Sequence, residues 1–533
     1  MIFFIMMKKD SPRDSFSRKT YTAAVVEYQC VPIEHDNPVD YMLANAEEYV
    51  SLIQVARMSD TDIIIFPEYG LTDVSPFRPQ WPSDSFAVEV PTPVESTNHC
   101  EQVFTSDQKV LSILAAAAKE NSMYVVVNLV EKVDCTGSVD CPSQNYLTYN
   151  TNIAFDRNGC IIARYRKFNL FGEKSMSTEK EANVCTFKTD FNVVFGMFIC
   201  FDIMFGDPTL RLISEKGVTD AIFSTAWFSE LPFLSATAVQ TGWAHSMDVN
   251  FLASGYKNPI SASGGSGVYQ GKKGAKTVTM PKTGGTEILV AELPIRQRPS
   301  VHLEPSPFIS YSSVKNTKYV PKNPPGSDPE TKEDVINQEL LRRKLFLKSG
   351  FYGDLTFKQD LSLAKMSSRL LEPDHVDYRK NVLSLFSDMR PGYEASIKVS
   401  WRINAPYDDL SPRYRLFSYS GTRVFGEREG HISVCGIVAC ENREIDSCGK
   451  VPNLNSTVKT SIESVEIQME SSIFTMGYLP ITLDFNLNQL PATSFNFSKK
   501  CDVDADKSEC SIKMNLTESI DNLFTFAVYK IPS

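Results

Sequence analysis

Short apolar runs separated by helical patterns fill the first half of the chain. Tyr21–Tyr28 (YTAAVVEY) is one such run, and Ile63–Phe66, Tyr124–Leu129, Val193–Cys200, Ala221–Ser224 and Phe251–Ser254 repeat the type. Runs of this length with little alternation predict strands buried on both faces. Helices lie between them. Asn37-Pro38 reads as an N-cap and a first-turn proline, and Leu43, Ala46, Val50 and Ile53 follow at helical spacing. Gln108–Lys119, Pro208–Glu215 and Ala236–Asp248 are predicted as further helices. Asp156-Arg-Asn-Gly159, between Asn150–Phe155 and Cys160–Tyr165, is a hairpin signal. The alternation predicts an α/β layered domain over residues 21–320.

Beyond it the pattern changes. Val320–Pro329 gathers proline, glycine and charge, which places a linker at 321–345. Ala395–Trp401 then alternates apolar and polar residues, and residues 346–533 read as a second, β-rich domain. At the start, Met1–Met7 is apolar but stops at Lys8-Lys9, short of a secretory signal, so residues 1–20 are expected to be a leader or a disordered tail. No run of about 18 apolar residues is present to predict a transmembrane segment. Phe524–Ser533 is too short and too charged for the tail of a lipid-anchor signal. Ser261–Gly267 is glycine-rich but lacks the lysine and hydroxyl ending of a phosphate loop, and reads as a flexible loop.

Bulk properties narrow the picture. At 533 residues two domains are the default, and a hydrophobic content of 42% is globular. A net charge of −10 with no long basic run argues against a nucleic-acid partner. The twelve cysteines include close groupings, Cys135 with Cys141, Cys435 with Cys440 and Cys501 with Cys510. Together with glycosylation sequons at Asn455, Asn496 and Asn515 they favour an oxidising, extracellular compartment. With Cys200 reserved for chemistry, eleven cysteines remain, so at least one more is free or bonded between molecules. Six histidines and no matched cysteine pairs leave no zinc pattern, and no metal is expected.

Three strand ends carry the chemistry. Asp62–Glu68 ends in a carboxylate, Arg164–Lys167 in a lysine and Gly196–Asp202 presents Cys200 before a polar turn. Alone, Cys200 reads as a buried structural residue and Lys167 as part of a solvated basic turn with Arg164 and Arg166. Glu68 is harder to place so, because a carboxylate beside a strand interior is costly without partners. Together the three suit hydrolysis of an amide. A thiolate attacks the carbonyl, an ammonium favours that thiolate and the oxyanion, and a carboxylate moves the proton and activates water. The backbone N–H of Phe201 is a natural second oxyanion donor. A Cys–His pair would need His245, which ranks below Lys167.

Phe66-Pro-Glu68, Tyr165–Phe171 and Phe198–Phe205 resemble the three motifs of the nitrilase superfamily, in its order and with separations of 99 and 33 residues. Phe223–Trp227, Leu231–Ser235, Val249–Ser254 and Gly265–Tyr269 resemble the vanin and biotinidase branch more narrowly, as do Val434–Cys440 and Ser447–Gly449 of the second domain. The resemblance implies an α-β-β-α sandwich followed by a β-rich module. It implies a Glu68 proton acceptor, a Lys167 proton donor and oxyanion stabiliser, a Cys200 nucleophile and a supporting Glu173, with no cofactor. It also implies a small-molecule amide substrate of pantetheine or biotin-amide type. A binding protein that keeps the fold without activity is the alternative of another class. Tyr69–Val74 departs from the branch after Glu68, the lipid-anchor tail of several vanins is missing, and the cysteine-rich entry to the C-terminal module is replaced near Glu394–Lys398. An invertebrate vanin-like protein is the expected placement.

Overall fold

The computed structural model describes residues 18–32, 37–73, 81, 83–94, 102–139, 141–280, 284–296, 346–348, 356–371, 382–390, 392–405, 411–425, 428–450, 459–471, 477–504 and 507–532. The expected linker at 321–345, Asn455 and all but the last three residues of the expected leader lie outside them.

Strands whose residues are buried on both sides divide their side chains between two cores. Along Thr20–Glu27 and Ile63–Ile65, Tyr21, Ala23, Val25, Ile63 and Ile65 enter one cluster, while Ala24, Val26 and Ile64 enter another. This is the period of two expected of a strand with both faces covered. The second cluster is closed by the helices Pro38–Arg57 and Lys109–Glu120. The first lies between two sheets. One runs Glu287–Pro294, Thr20–Glu27, Ile63–Ile65, Tyr124–Asp134, Tyr146–Phe155, Ile161–Arg166, with Val88–Glu89 on a side branch. The other runs Ala275–Thr279, Ser266–Gln270, Asn250–Gly255, Asp220–Thr225, Val194–Ile199, Thr186–Lys188. Each has three parallel strands at its centre and antiparallel strands outside. With Thr209–Ser214 and Ala236–Met247 on the far side of the second sheet, the layers are α-β-β-α.

Local signals act as expected at several points. Asn37 caps the first helix by accepting from Asp40 N at 2.8 Å. Its buried stripe, however, is Tyr41, Met42, Asn45, Ala46, Tyr49, Leu52, Ile53 and Ala56, so Leu43 and Val50 lie at its margin. Two tyrosines displaced them, because an aromatic body packs as a large apolar group. The Ser261–Gly267 segment is not a free loop. Gly265 N and Ser266 Oγ both donate to the buried Glu27 carboxylate, at 3.0 and 2.5 Å, and Ser266 opens a strand.

The two large sheets of the second domain are antiparallel, while its strand Thr356–Gln359 pairs in parallel with Glu230–Leu231 of the first domain. A five-stranded sheet runs Ser367–Leu370, Arg413–Phe425, Arg428–Cys440, Leu523–Lys530, Tyr478–Asp484. A second is ordered Val382–Arg390, Tyr393–Ile403, Thr460–Ser471, Lys507–Leu516, Phe495–Asp504. The alternation around Ala395–Trp401 places Tyr393, Ala395, Ile397, Val399, Trp401 and Ile403 inward. Strand Tyr478–Asp484 lies on Ala236–Met247, and a Cβ on Gly242 would stand 2.7 Å from Pro480 O. That covering explains a helix buried on every side.

Disulfides join Cys135–Cys141, Cys440–Cys448 and Cys501–Cys510, and Cys160 is also disulfide-bonded. The Cys435–Cys440 grouping fails as a bond. Both lie on one strand, Arg428–Cys440, five residues apart, or about 17 Å along an extended chain. Among the described residues Cys185, Cys200 and Cys435 carry free thiols. Asn496 is exposed, and its strand partner across the sheet is Asn515. No described helix is long and apolar enough to cross a membrane.

Candidate active site

Three strands of the sandwich end at one place. Glu68 follows Ile63–Ile65, Lys167 follows Ile161–Arg166 and Cys200 follows Val194–Ile199. Lys167 Nζ lies 2.8 Å from Glu68 Oε1 and 2.7 Å from Glu173 Oε1. Glu68 and Lys167 are 1% and 2% exposed, so neither is a surface charge. The neighbouring arginines turn elsewhere, Arg164 and Arg166 pairing with the buried Glu131 at 3.0 and 2.7 Å. That separation overturns the solvated-turn reading for Lys167.

Glu68 is held from several sides. Its Oε2 accepts from Ala226 N at 2.8 Å, and its Oε1 accepts from Asn150 Nδ2 at 2.8 Å. Asn150 belongs to a row of amides on facing strands. Asn128 Nδ2 donates to Asn150 Oδ1 at 2.7 Å and to Asn152 Oδ1 at 3.1 Å, while Asn128 Oδ1 accepts from Tyr69 N at 2.9 Å. Tyr69 OH donates to Glu173 Oε1 at 2.8 Å. A buried carboxylate pair around one ammonium is tolerable only with such satisfaction of the remaining lone pairs.

Cys200 sits at an elbow where the strand turns into the 3-10 segment Cys200–Met204, with φ of 46°. Left-handed backbone is rare for a side chain without local hydrogen-bonding groups, and it lifts the sulfur out of the strand's pleat. Asp202 secures the elbow, its Oδ2 accepting from Ile199 N at 3.1 Å and from Tyr165 OH at 2.7 Å. Its Oδ1 accepts from Asn169 N and Nδ2 at 2.8 and 2.9 Å. The segments carrying Lys167 and Cys200 are thereby joined.

The electrostatics differ from expectation in one respect. Burial opposes the Lys167 charge, but Glu173 and then Glu68 hold its pKa well above the ordinary lysine value. Burial would raise Glu173, and Lys167 outweighs it, leaving that carboxyl below the usual range. For Cys200, burial first and the Glu68 carboxylate second push the thiol up, and Lys167 does not offset them. The resting group is a neutral thiol facing a carboxylate, not the thiolate expected beside an ammonium.

His245 does not join the group. It packs in the domain interface, 5.1 Å from the Phe495 ring, and burial pushes its pKa down to about 4. Phe201 is buried directly after Cys200, its ring 4.9 Å from Phe171. Asn128, Asn150, Tyr69, Asp202 and Asn169 were not singled out by sequence reasoning. The available signal was asparagine at alternate positions inside otherwise apolar strands, where an unpaired amide would be costly.

The Carbon-nitrogen hydrolase model matches residues 22–236 and the Vanin C-terminal domain model matches 396–532. Vanin-like protein 1 of Drosophila melanogaster is 31% identical over 526 residues, covering 96% of this chain and 85% of the relative. The chain belongs to the vanin branch of the carbon–nitrogen hydrolase family. Within that branch, a pantetheinase of Bos taurus is 32% identical, covering 92% of this chain and 90% of its own. A biotinidase of Rattus norvegicus is 34% identical over 47% of this chain and 49% of its own. The Nit3 structure of Saccharomyces cerevisiae, from the nitrilase superfamily, covers 52% of this chain and 90% of its own at 19% identity, with a TM-score of 0.39. This vanin-branch chain is thus a nitrilase-superfamily amidohydrolase related to pantetheinases and biotinidases.

Proposed function

We propose that the protein is an extracellular thiol amidohydrolase that cleaves pantetheine-type amides to pantothenate and cysteamine. The observation that carries the reaction is the buried Glu68–Lys167 contact of 2.8 Å facing the Cys200 elbow. Glu68 takes the proton from Cys200 Sγ as sulfur attacks the amide carbon. Lys167 and the Phe201 N–H stabilise the resulting oxyanion. The C–N bond breaks as the protonated Glu68 returns the proton to the departing amine, leaving a thioester on Cys200. Water then attacks the thioester with Glu68 as base, releasing the acid and restoring the thiol. A neutral resting thiol fits this sequence, because the base and the nucleophile are then charged in turn rather than together.

Pantetheine is put before a biotin amide because the pantetheinases of Sus scrofa and Bos taurus match through both domains, although a pantetheinase of Canis lupus familiaris, like the biotinidases, matches about half the chain. The disulfides support the extracellular assignment, and the exposed Asn496 is the described sequon best placed to carry a glycan. Turnover of pantetheine and of a biotinyl-lysine amide by wild type and Cys200→Ala tests the proposal. The expected result is preference for pantetheine and no turnover by the variant. Activity surviving in Cys200→Ala refutes the nucleophile, and preference for the biotin amide moves the substrate to the other relative.

A further inference from the structure

The mechanism above uses only the first domain, yet one hairpin of the second reaches residues on both sides of the Cys200 elbow. Its strands are Arg413–Phe425 and Arg428–Cys440. Near its tip Phe425 lies 5.9 Å, ring to ring, from Phe201, the residue that follows Cys200. Arg428, on the returning strand, donates from Nη1 to Asn169 Oδ1 at 2.5 Å and stands 5.3 Å over the Phe205 ring. Asn169 is the residue that binds Asp202, and Asp202 binds Ile199 N, the residue that precedes Cys200. We infer that Phe425 and Arg428 are positioning residues of the active site, through which the second domain holds the two shoulders of the Cys200 elbow.

Three physical points support this, and all rest on the thiol-hydrolase reading. First, an asparagine amide has one acceptor and one donor end. A guanidinium on Asn169 Oδ1 fixes the orientation in which Nδ2 faces Asp202 Oδ1 at 2.9 Å and Asp207 O at 2.8 Å. Turned over, the same amide would set its oxygen against the Asp202 carboxylate. Second, Arg428 is half-buried: burial lowers its pKa, while Asp202 and Glu173 draw it back up. A cation in that position offsets Asp202, which secures the elbow, and Glu173, which pairs with Lys167. Third, the hairpin is bolted down. Arg423, two residues before Phe425, is buried, ion-pairs with Glu230 and with Asp360 at 3.1 Å, and donates to Tyr529 OH at 3.2 Å. Glu230 belongs to the first domain, so the tip is tied to the domain that carries the elbow.

The test uses the full-length protein and the variants Arg428→Met, Arg428→Lys and Phe425→Leu, with Val424→Ser at an exposed hairpin position as control. Steady-state turnover, the melting temperature and the pH dependence of Cys200 alkylation by iodoacetamide, read by peptide mass spectrometry, are recorded for each. Cys200 is faced by Glu68, Lys167 and Tyr69, and Asp202 by Tyr165, Lys167 and Arg428, so the alkylation profile reports the change in the charge balance through Lys167 and the elbow. Arg428→Met is expected to lower kcat by about tenfold or more with KM within about twofold. It should also move Cys200 alkylation to higher pH, since two carboxylates lose their counter-charge. Arg428→Lys should restore the alkylation profile in part, Phe425→Leu should lower kcat alone, and Val424→Ser should match wild type. Unchanged kcat and an unchanged alkylation profile in Arg428→Met overturn the inference, as does a loss in every variant that follows only the melting temperature. Should wild type cleave no amide, the hydrolase reading fails by itself, and the alkylation profiles still decide the role of Arg428.

Discussion

Asp202 receives four hydrogen bonds, from Ile199 N, Tyr165 OH, Asn169 N and Asn169 Nδ2, and makes none of its own as a donor. Burial pushes its carboxyl up to about 6 despite them. An asparagine at this position presents two hydrogens where the site offers only donors. Asp202→Asn is therefore expected to cost on the order of 1–3 kcal/mol of stability and to lower kcat, read by thermal melting and turnover. Wild-type stability and rate in that variant would show that the clamp does not hold the elbow. Lys167 makes a related case. Its removal leaves the buried Glu68 and the partly buried Glu173 together without a cation, so Lys167→Met should lose activity and also about 3 kcal/mol of stability. A fully stable, inactive Lys167→Met would contradict the second half of that expectation. Glu68 stood out in the sequence because a carboxylate beside a strand interior is costly to bury. Lys167 and Cys200 read as bland alone and gained a role only beside it and through the nitrilase-like motifs. Asp202 and Asn150 did not stand out, because their roles depend on which strand faces which.

Among the elements, the contrast lies between strands and the segments that join them. The doubly buried strands Thr20–Glu27, Ile63–Ile65, Val194–Ile199, Asp220–Thr225 and Asn250–Gly255 were legible to about a residue, since each is a bare apolar run. Tyr124–Asp134 and Tyr146–Phe155 extend beyond theirs, and the outer strands Ser266–Gln270, Ala275–Thr279 and Glu287–Pro294 were not legible. Glycine-rich Ser261–Gly267 was read as a free loop, because glycine signals freedom in a sequence but close approach in a packed fold. Gly265 has φ of 122°, and a Cβ there would lie 2.7 Å from Ala236 Cβ at the start of the long second-sheet helix. Gly265→Ala therefore has both a forbidden backbone conformation and a clash to relieve. The variant is expected to lose roughly 2 kcal/mol or more, measurable by urea unfolding, and a loss below about 0.5 kcal/mol would return the segment to the status of a loop. Glu27, which grips Gly265 and Ser266, is pushed up to about 8 by burial and so is largely protonated at neutral pH. A two-domain layout was also legible, in the shift from mixed helix and strand to alternation. The orientation of the hairpin that carries Arg428 was not, since nothing in its own pattern of residues points to the other domain.

Across the whole molecule the two domains share one continuous apolar core, and the junction contains titratable groups. Lys499 donates to Ser246 Oγ at 2.9 Å, and burial, with Lys272 second, pushes its pKa down to about 7. The folded protein thus binds fewer protons at this position than the unfolded chain between about pH 7 and the ordinary lysine value. Stability rises with pH across that window, and the penalty is fully present below about 7. Lys499→Met should raise the melting temperature by a few degrees at pH 7, with the gain shrinking toward pH 9.5. A gain independent of pH would mean that packing, not charge, is responsible. The account as a whole stands on sulfur, carboxylate and ammonium acting together on an amide. Its most direct measurement is acid-quenched mass spectrometry of the protein during turnover of pantetheine. The predicted result is a pantothenoyl thioester on the peptide containing Cys200, lost in Cys200→Ser. Turnover without that adduct, or an adduct on Cys185 or Cys435 instead, would contradict it.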